Sequence, residues 1–305
     1  MENRKHRPAL AVAAVLTLLA AAAPGRAQLN PDEVEIETVK LADGVYMLKG
    51  AGGNLGVSAG SDGVFLIDDQ FAPLTPKIRA AIAAISDRPI RFVLNTHWHG
   101  DHTGGNENLG EAGALIVAHE NVRQRMSVEQ FNEFLGRTTP ASPAGALPVV
   151  TFTDAVTFHL NGDEIHAFHL PPAHTDGDSV VVFKNSDVVH TGDLFFNGMY
   201  PFIDIWSGGS VDGYIAAVER VLGTVGESTK LIPGHGPPGG RAELAEFLAM
   251  LKGVRAAVGP LVDAGKSLEE TLAAKPLAAF DEKWGGGFLN AERFTTIVYK
   301  SLKGE

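Results

Sequence analysis

Six residues constrain this chain more than any other stretch: His97-Trp98-His99-Gly100-Asp101-His102 sets four metal-binding side chains side by side. They follow the apolar run Ile90 to Leu94, which predicts a strand that ends in Asn95-Thr96 and presents the cluster at its exit. Residues two apart in an extended segment project the same way, so His97 and His99 can pinch one cation. Asp101 and His102, past the flexible Gly100, can turn towards a second. The chain has no cysteine, so every ligand must be His, Asp or Glu. Such nitrogen and oxygen donors suit zinc first, with iron or manganese as alternatives because a carboxylate is included.

The frame around the cluster reads as two similar halves. Val39 to Leu41 and Val45 to Leu48 flank Asp43-Gly44, and Gly56 to Ser58 and Val64 to Ile67 flank Ser61-Asp62-Gly63. Both are hairpin patterns with turn residues suited to positive φ. Thr75-Pro76 starts a helix with Ile78, Ile82 and Ile85 on one face. Ala114 to Ala118 predicts a strand, Asn121 to Met126 a helix, and Thr138 to Pro148 a loop. The second half runs Val156 to Leu160, Glu164 to Leu170, Val180 to Phe183 and Val188 to Gly192 as strands. A helix from Val211 to Leu222 and a strand from Lys230 to Ile232 complete it. Two sheets packed face to face with helices outside satisfy this pattern. From Arg241 the chain turns helical, and no linker-like stretch separates that tail from the core.

Three further donors sit in turn-like settings: His174 before Thr175-Asp176-Gly177, Asp193 after His190-Thr191-Gly192, and His235 between Gly234 and Gly236. The six-residue run, with these three in this order and with these flanks, resembles the metallo-β-lactamase superfamily over roughly Val34 to Gly240. The resemblance implies an α/β fold, a four-layer αβ/βα sandwich of two mixed β-sheets with helices outside and the site at one edge between the sheets. It implies that His97, His99 and His174 hold a first metal, that Asp101, His102 and His235 hold a second, and that Asp193 bridges both. It also implies a dinuclear zinc-dependent hydrolase in which hydroxide held between the ions attacks a carbonyl, with Asp101 as ligand and orienting group. Elementary chemistry agrees, because three His leave a tetrahedral ion one open position and water activated there needs no Ser or Cys nucleophile. Asp68, ending the Val64 to Ile67 strand, stands where the superfamily commonly has an Asp that hydrogen-bonds a ligand, with a plain turn residue as the equal reading.

Arg4, Lys5 and Arg7, the apolar run Ala9 to Ala23 and then Gly25-Arg26-Ala27 make a signal peptide cut after Ala27. The run is shorter than the ~20 apolar residues that cross a bilayer. The expected organisation is a leader at 1–27, a catalytic domain at 28–240 and a C-terminal helical extension at 241–305, in a protein that is periplasmic or secreted and leaves the membrane after cleavage. The leader takes four basic residues and one acid with it, moving the formal charge from −11 to about −14. No basic stripe remains, which excludes nucleic acid and leaves a small-molecule substrate as the partner.

Export disfavours superfamily activities on cytosolic glutathione thioesters or transfer-RNA precursors and favours β-lactam or lactone ring opening. Two departures matter. Asp193 stands where the best-known zinc β-lactamases place a Cys, and Phe196 where they carry a Lys for the substrate carboxylate and where lactone-cleaving relatives often place a Tyr. Asn197 and Tyr200 are the candidate stand-ins. Trp98, Phe71, Phe195, Phe196, Tyr200, Phe202 and Trp206 are candidate walls of a substrate cavity, with core packing as the even alternative. Three other activities stay open: a glyoxalase II-like thioester hydrolase, an iron-dependent sulfur dioxygenase, and a non-catalytic periplasmic factor that binds metal or ligand. His119, His159, His166, His169 and His190 read as packed or hydrogen-bonded histidines.

Overall fold

Each of the two N-terminal turns closes a hairpin: β1 (Glu37–Ala42) pairs antiparallel with β2 (Val45–Lys49), and β3 (Leu55–Gly60) with β4 (Gly63–Ile67). The structure, a computed structural model, describes residues 30–170 and 172–305, and the expected leader lies outside them. Helix α1 (Thr75–Ala83) leads to β5 (Ile90–Asn95), and the short helices α2 (Gly100–Thr103) and α3 (Asn106–Glu111) lead to β6 (Leu115–His119) and α4 (Glu120–Met126). A small hairpin of β7 (Gln130–Asn132) and β8 (Arg137–Thr139) precedes β9 (Val150–Phe152). The second half runs β10 (Ala155–Leu160), β11 (Asp163–His169), β12 (Ser179–Phe183), β13 (Val188–Phe196), α5 (Val211–Thr224) and β14 (Lys230–His235). Helices α6 (Arg241–Asp263), α7 (Leu268–Ala273), α8 (Ala278–Trp284) and α9 (Ala291–Lys303) follow.

The strands form a seven-stranded sheet in the order β1-β2-β3-β4-β5-β6-β9 and a five-stranded sheet in the order β10-β11-β12-β13-β14. Both are mixed, since β4, β5, β6 and β9 run parallel, as do β13 and β14, while the other pairs are antiparallel. Side-chain alternation assigns the layers. Phe65 and Ile67 of β4 point at Phe183, Val188 and Ile232 of the other sheet, forming the core between the sheets. Their neighbours Val64 and Leu66 point the opposite way, under Leu74, Ile78, Ile82 and Leu109 of the helical side. The second sheet does the same, burying Val180 and Val189 with Tyr214 and Val218 of α5, Phe247 of α6 and Phe294 of α9. Strand β4 is buried throughout because helices cover one face and a sheet the other. This is the four-layer α/β sandwich expected from the sequence.

The structure departs from the sequence reading in detail. Strand β13 continues past Gly192 to Phe196, because Leu194, Phe195 and Phe196 are buried on either side of the polar Asp193. Helices α2 and α3, the β7–β8 hairpin and β9 were not predicted, as each is too short to show a period. The tail was expected to pack on the core, and α6, α8 and α9 share one apolar cluster with α5. No helix among the described residues is long and apolar enough to cross a membrane.

The parallel strands matter most for function. In sheets of this kind the carboxyl ends of the strands are where ligands bind. Here Asp68 follows β4, His97 follows β5, Asp193 lies in β13 and His235 ends β14, so both sheets deliver side chains to one edge.

Phe65 holds the two sheets together, fully buried with its ring 4.8 Å from that of Phe158. Phe65→Ala is expected to cost about 3–5 kcal/mol, read as a fall in the urea midpoint. Leu115→Ala, at an exposed site, is expected to stay within about 0.5 kcal/mol.

Candidate metal centre

Two groups of donors converge at the shared edge of the sheets. The first is His97, His99, His174 and Asp193, and the second is Asp101, His102 and His235. In the first, His97 Nε2 lies 3.1 Å and His174 Nε2 2.9 Å from His99 Nδ1. Asp193 Oδ2 is 3.4 Å from His174 Nε2 and 3.8 Å from His97 Nε2. Zn–N bonds of about 2.0–2.1 Å place tetrahedral ligand atoms roughly 3.3 Å apart, so these four atoms already mark the corners of a coordination shell. In the second, His235 Nε2 is 3.5 Å and His102 Nε2 3.8 Å from Asp101 Oδ2. Asp193 stands between the groups, with Oδ1 3.1 Å from His102 Nε2 and Oδ2 3.5 Å from His235 Nε2.

The opposite nitrogen of each imidazole shows what these atoms face. His174 Nδ1 donates to the Phe202 carbonyl at 2.6 Å, and His99 Nε2 to Asp204 Oδ2 at 2.9 Å. Thr96 Oγ1 donates to Asp68 Oδ2 and so accepts from His97 Nδ1 at 3.1 Å. His102 Nδ1 donates to Asp68 Oδ2 at 2.7 Å. Anchored in this way, the rings turn their remaining nitrogens at one another and at Asp193, an arrangement that a cation at its centre satisfies once those nitrogens are free of protons. Although 3.1 Å apart, His102 Nε2 and Asp193 Oδ1 are not aligned as a hydrogen bond, and both are buried without a partner. Buried polar atoms without partners are rare and costly, so the donor set fits a pair of cation sites rather than a hydrogen-bond network.

Charges repeat the demand. Burial holds His97 well below the usual histidine range, helped by the neighbouring imidazole of His102, and pushes His174 down to about 4. Burial also opposes charge on His99, His102 and His235, but nearby carboxylates outweigh it and raise all three, with Asp204 acting on His99 and Asp193 on the other two. Asp193 is buried too, yet its surrounding imidazoles hold it well below the usual carboxylate range.

Local chain geometry fixes each donor. Asp68 and Gln70 adopt positive φ (58° and 56°), a strained turn that brings the Asp68 carboxylate onto Thr96 N and His102. Gln70 Nε2 bonds the Gly53 carbonyl at 2.7 Å, holding the β2–β3 loop against His102. A Cβ on Gly53 would lie 2.1 Å from His102 Cε1, and one on Gly234 2.0 Å from Asp193 Oδ1, so only glycine fits at either place. Asp178 cages the His174 turn, accepting from His174 N at 2.7 Å and from Thr175 N and Oγ1. Tyr214 Oη donates to the Asp193 carbonyl from α5.

The seven candidate ligands therefore come together, and Asp68 stands behind His102 and Thr96. The candidate walls divide. Phe196 lies at the site, stacked on His235 at 4.8 Å, and Phe202 lies 6.0 Å from the His99 ring. Trp98 packs instead into a buried cluster with Ala118, Val122 and Met126, and Phe71 packs against the core beneath α1. Tyr200 is buried against Phe294, because the apolar stretch that carries it turns inward to the C-terminal helices. Asn197 spends its amide on the carbonyls of Pro237 and Pro238. Phe71, Tyr200 and Asn197 thus face away from the donors, whereas the Trp98 ring also lies 4.9 Å from that of His99 and packs behind this ligand. His190 bonds Asn54 O, and His119 stacks on His169; none of the three belongs to either donor group.

Sequence reasoning missed Asp204, whose carboxylate holds His99, Ser207 Oγ and Asn132 Nδ2. A lone acid in the apolar run Phe202 to Trp206 was the available signal, since a buried carboxylate requires partners. Asp178, Asn132 and Tyr214 gave no comparable sign.

A family model described as the metallo-beta-lactamase superfamily matches residues 51–245. The chain is 29% identical over 188 residues to a Bacillus subtilis protein named "Probable metallo-hydrolase YqgX", covering 57% of this chain and 83% of that one. It is 25% identical over 193 residues to a metallo-beta-lactamase type 2 of Bacillus cereus, covering 63% and 70%. A solved metallo-beta-lactamase from Pontibacter korlensis superposes with a TM-score of 0.59 at 20% identity over 72% of this chain and 99% of that one, a likeness of fold alone.

Asp204→Ala removes the acceptor of His99 Nε2 and is expected to weaken zinc at the first group by about 10–100-fold in chelator competition, with the circular dichroism unchanged. Gly53→Ala is expected to displace His102 and abolish zinc uptake at the second group while the first still fills, read as metal per chain. The raised pKa values of His102 and His235 mean that protons stay on these rings to higher pH, and a cation binds only the free base. Affinity at the second group should therefore fall as pH drops through those values; in the first group only His99 is raised while His97 and His174 are lowered, so that group has fewer protons to displace and should hold zinc to lower pH. Zinc titrations at pH 8 and pH 6 check the order.

Proposed function

The chain belongs to the metallo-β-lactamase superfamily, and from that premise we propose a dinuclear, zinc-dependent hydrolase that opens a β-lactam or lactone ring. The observation that carries this reading is the pair of donor groups meeting at Asp193, complete in every member. Bound there, two divalent ions would supply water activation near neutral pH and stabilise charge developing on the carbonyl oxygen under attack.

The chain's own residues set the rest. Asp101 is the most open of the carboxylates at the centre, and nearby imidazoles lower its pKa against the pull of burial. Held ionised in this way, it can accept a hydrogen bond from a water through Oδ2 and so orient it. Asp193, buried and with imidazole nitrogens within 3.5 Å of both oxygens, has no such freedom. Asp68 and Asp204 keep His102 and His99 from rotating.

Phe196 closes the face of His235 with an apolar ring, and neither Asn197 nor Tyr200 offers a charge in its place. This favours a ring that carries no carboxylate on that side, within the β-lactam and lactone choice. The reading includes export, on the strength of the N-terminal sequence, and a small-molecule substrate met outside the cytoplasm.

Zinc-loaded protein assayed on penicillins, lactones and thioesters tests the proposal, with Asp101→Ala expected to lower kcat by about 10²–10⁴-fold on the active class. No lactam or lactone turnover above the Asp101→Ala background would refute it. About one iron per chain together with oxygen uptake would select a dioxygenase instead.

A further inference from the structure

The mouth of the metal centre opens on the side of three ligands. His99, Asp101 and His235 retain side-chain exposures of 16%, 28% and 25%, whereas His97, His102 and His174 are sealed. Both flanks of that opening are aromatic. Phe196 lies over His235. On the other side Phe202 lies beside His99 and His174, and an aromatic surface runs outward from it to Phe288, 6.1 Å away edge-on, and to Phe134 at 5.9 Å.

This outer surface is assembled from parts far apart in the chain. Phe134 sits in the turn of the β7–β8 hairpin, and Phe288 precedes α9 in the C-terminal extension. The Arg293 guanidinium of α9 lies 4.8 Å from the Phe134 ring and 5.0 Å from the Phe288 ring, and it makes no ion pair among the described residues. A cation between two rings is worth about 0.5–1 kcal/mol per contact at exposed sites, enough to hold both rings in place. Yet the wall is not closed over, because Phe288 stays 41% exposed. A large apolar ring that keeps this exposure, joined to His99 through Phe202, offers a surface for apolar ligand groups.

We infer that this wall is a subsite for an aromatic or bulky apolar substituent of the substrate, attached close to the carbonyl and lying on the His99 side. The inference rests on the hydrolase reading and adds a substrate class to it: aryl-bearing neutral rings rather than small or charged ones. Covering half of a phenyl group against Phe202 and Phe288 is worth roughly a tenfold preference.

The test compares zinc-loaded protein on matched neutral pairs: 3-acetamido-azetidin-2-one against its 3-phenylacetamido counterpart, and γ-butyrolactone against its phenyl-substituted form. The kcat/KM ratio of aryl to plain substrate should be about ten or more, fall towards one in Phe288→Ala, and stay unchanged in Phe131→Ala, an exposed ring one residue from Asn132 and so on the opposite face of the hairpin strand. A ratio near one, or one that Phe288→Ala does not move, overturns the inference while leaving the hydrolase reading intact. Absence of turnover on every pair removes the hydrolase reading instead. In that event calorimetry decides the subsite: phenylacetate should bind about tenfold more tightly than acetate and lose that margin in Phe288→Ala, and equal affinities overturn it.

Discussion

The structure turns on a set of buried nitrogen and oxygen donors that face one another across a gap and have been denied any hydrogen-bonding alternative. A single histidine can rotate or protonate to satisfy itself. Here the second nitrogens of His97, His99, His102 and His174 are each committed, to Thr96, Asp204, Asp68 and the Phe202 carbonyl. The inward atoms then have only each other and Asp193. Desolvation makes that arrangement costly without a central cation, and it is tolerable because two packed sheets hold the strand ends that carry it. The fold's stability and the site's chemistry therefore oppose each other, and metal binding reconciles them.

This explains which parts of the molecule could be read from sequence. The ligands were legible because chemistry restricts them to a few residue types and four of them crowd into six positions after a strand. The layers were legible because Phe65 and Ile67 alternate with Val64 and Leu66, and the hairpin turns announce themselves through Asp43-Gly44 and Asp62-Gly63. The residues that anchor the ligands were mostly not legible. Asp204 reaches His99 across a sequence separation of 105, and Asn132 reaches Asp204 across 72. No local pattern marks such pairs, and a buried Asp looks the same in sequence as a surface one. Aromatic walls stayed undecided between pocket and core for a related reason: Tyr200 and Phe202 are two residues apart, yet one packs into the helices and the other lies beside His99.

Strain is placed where it serves the same end. Non-glycine residues with positive φ cost energy, and Asp68 and Gln70 both pay it within one turn after β4. The turn delivers the Asp68 carboxylate to Thr96 and His102 and the Gln70 amide to the Gly53 carbonyl. An unstrained turn would exit the sheet in another direction and leave the loop at Gly53 without its tether. Since a side chain at Gly53 would overlap His102, that loop can approach only as bare backbone.

Asp204 ties the centre to the outer parts of the molecule. Its Oδ2 fixes His99, while its Oδ1 accepts from Asn132 at 3.0 Å, the residue that docks the β7–β8 hairpin. The hairpin is held on its other side by Lys300 of α9, through Glu133 at 2.7 Å. A first-group ligand, a surface hairpin and the C-terminal helix are thus joined by three polar contacts in series. Ordering the hairpin fixes the orientation of His99, and a ligand that presses on the hairpin must act on the same carboxylate. The extension beyond β14 is therefore coupled to the chemistry through position rather than through any ligand of its own, which accounts for buried helices packed so closely behind a site to which they contribute no donor.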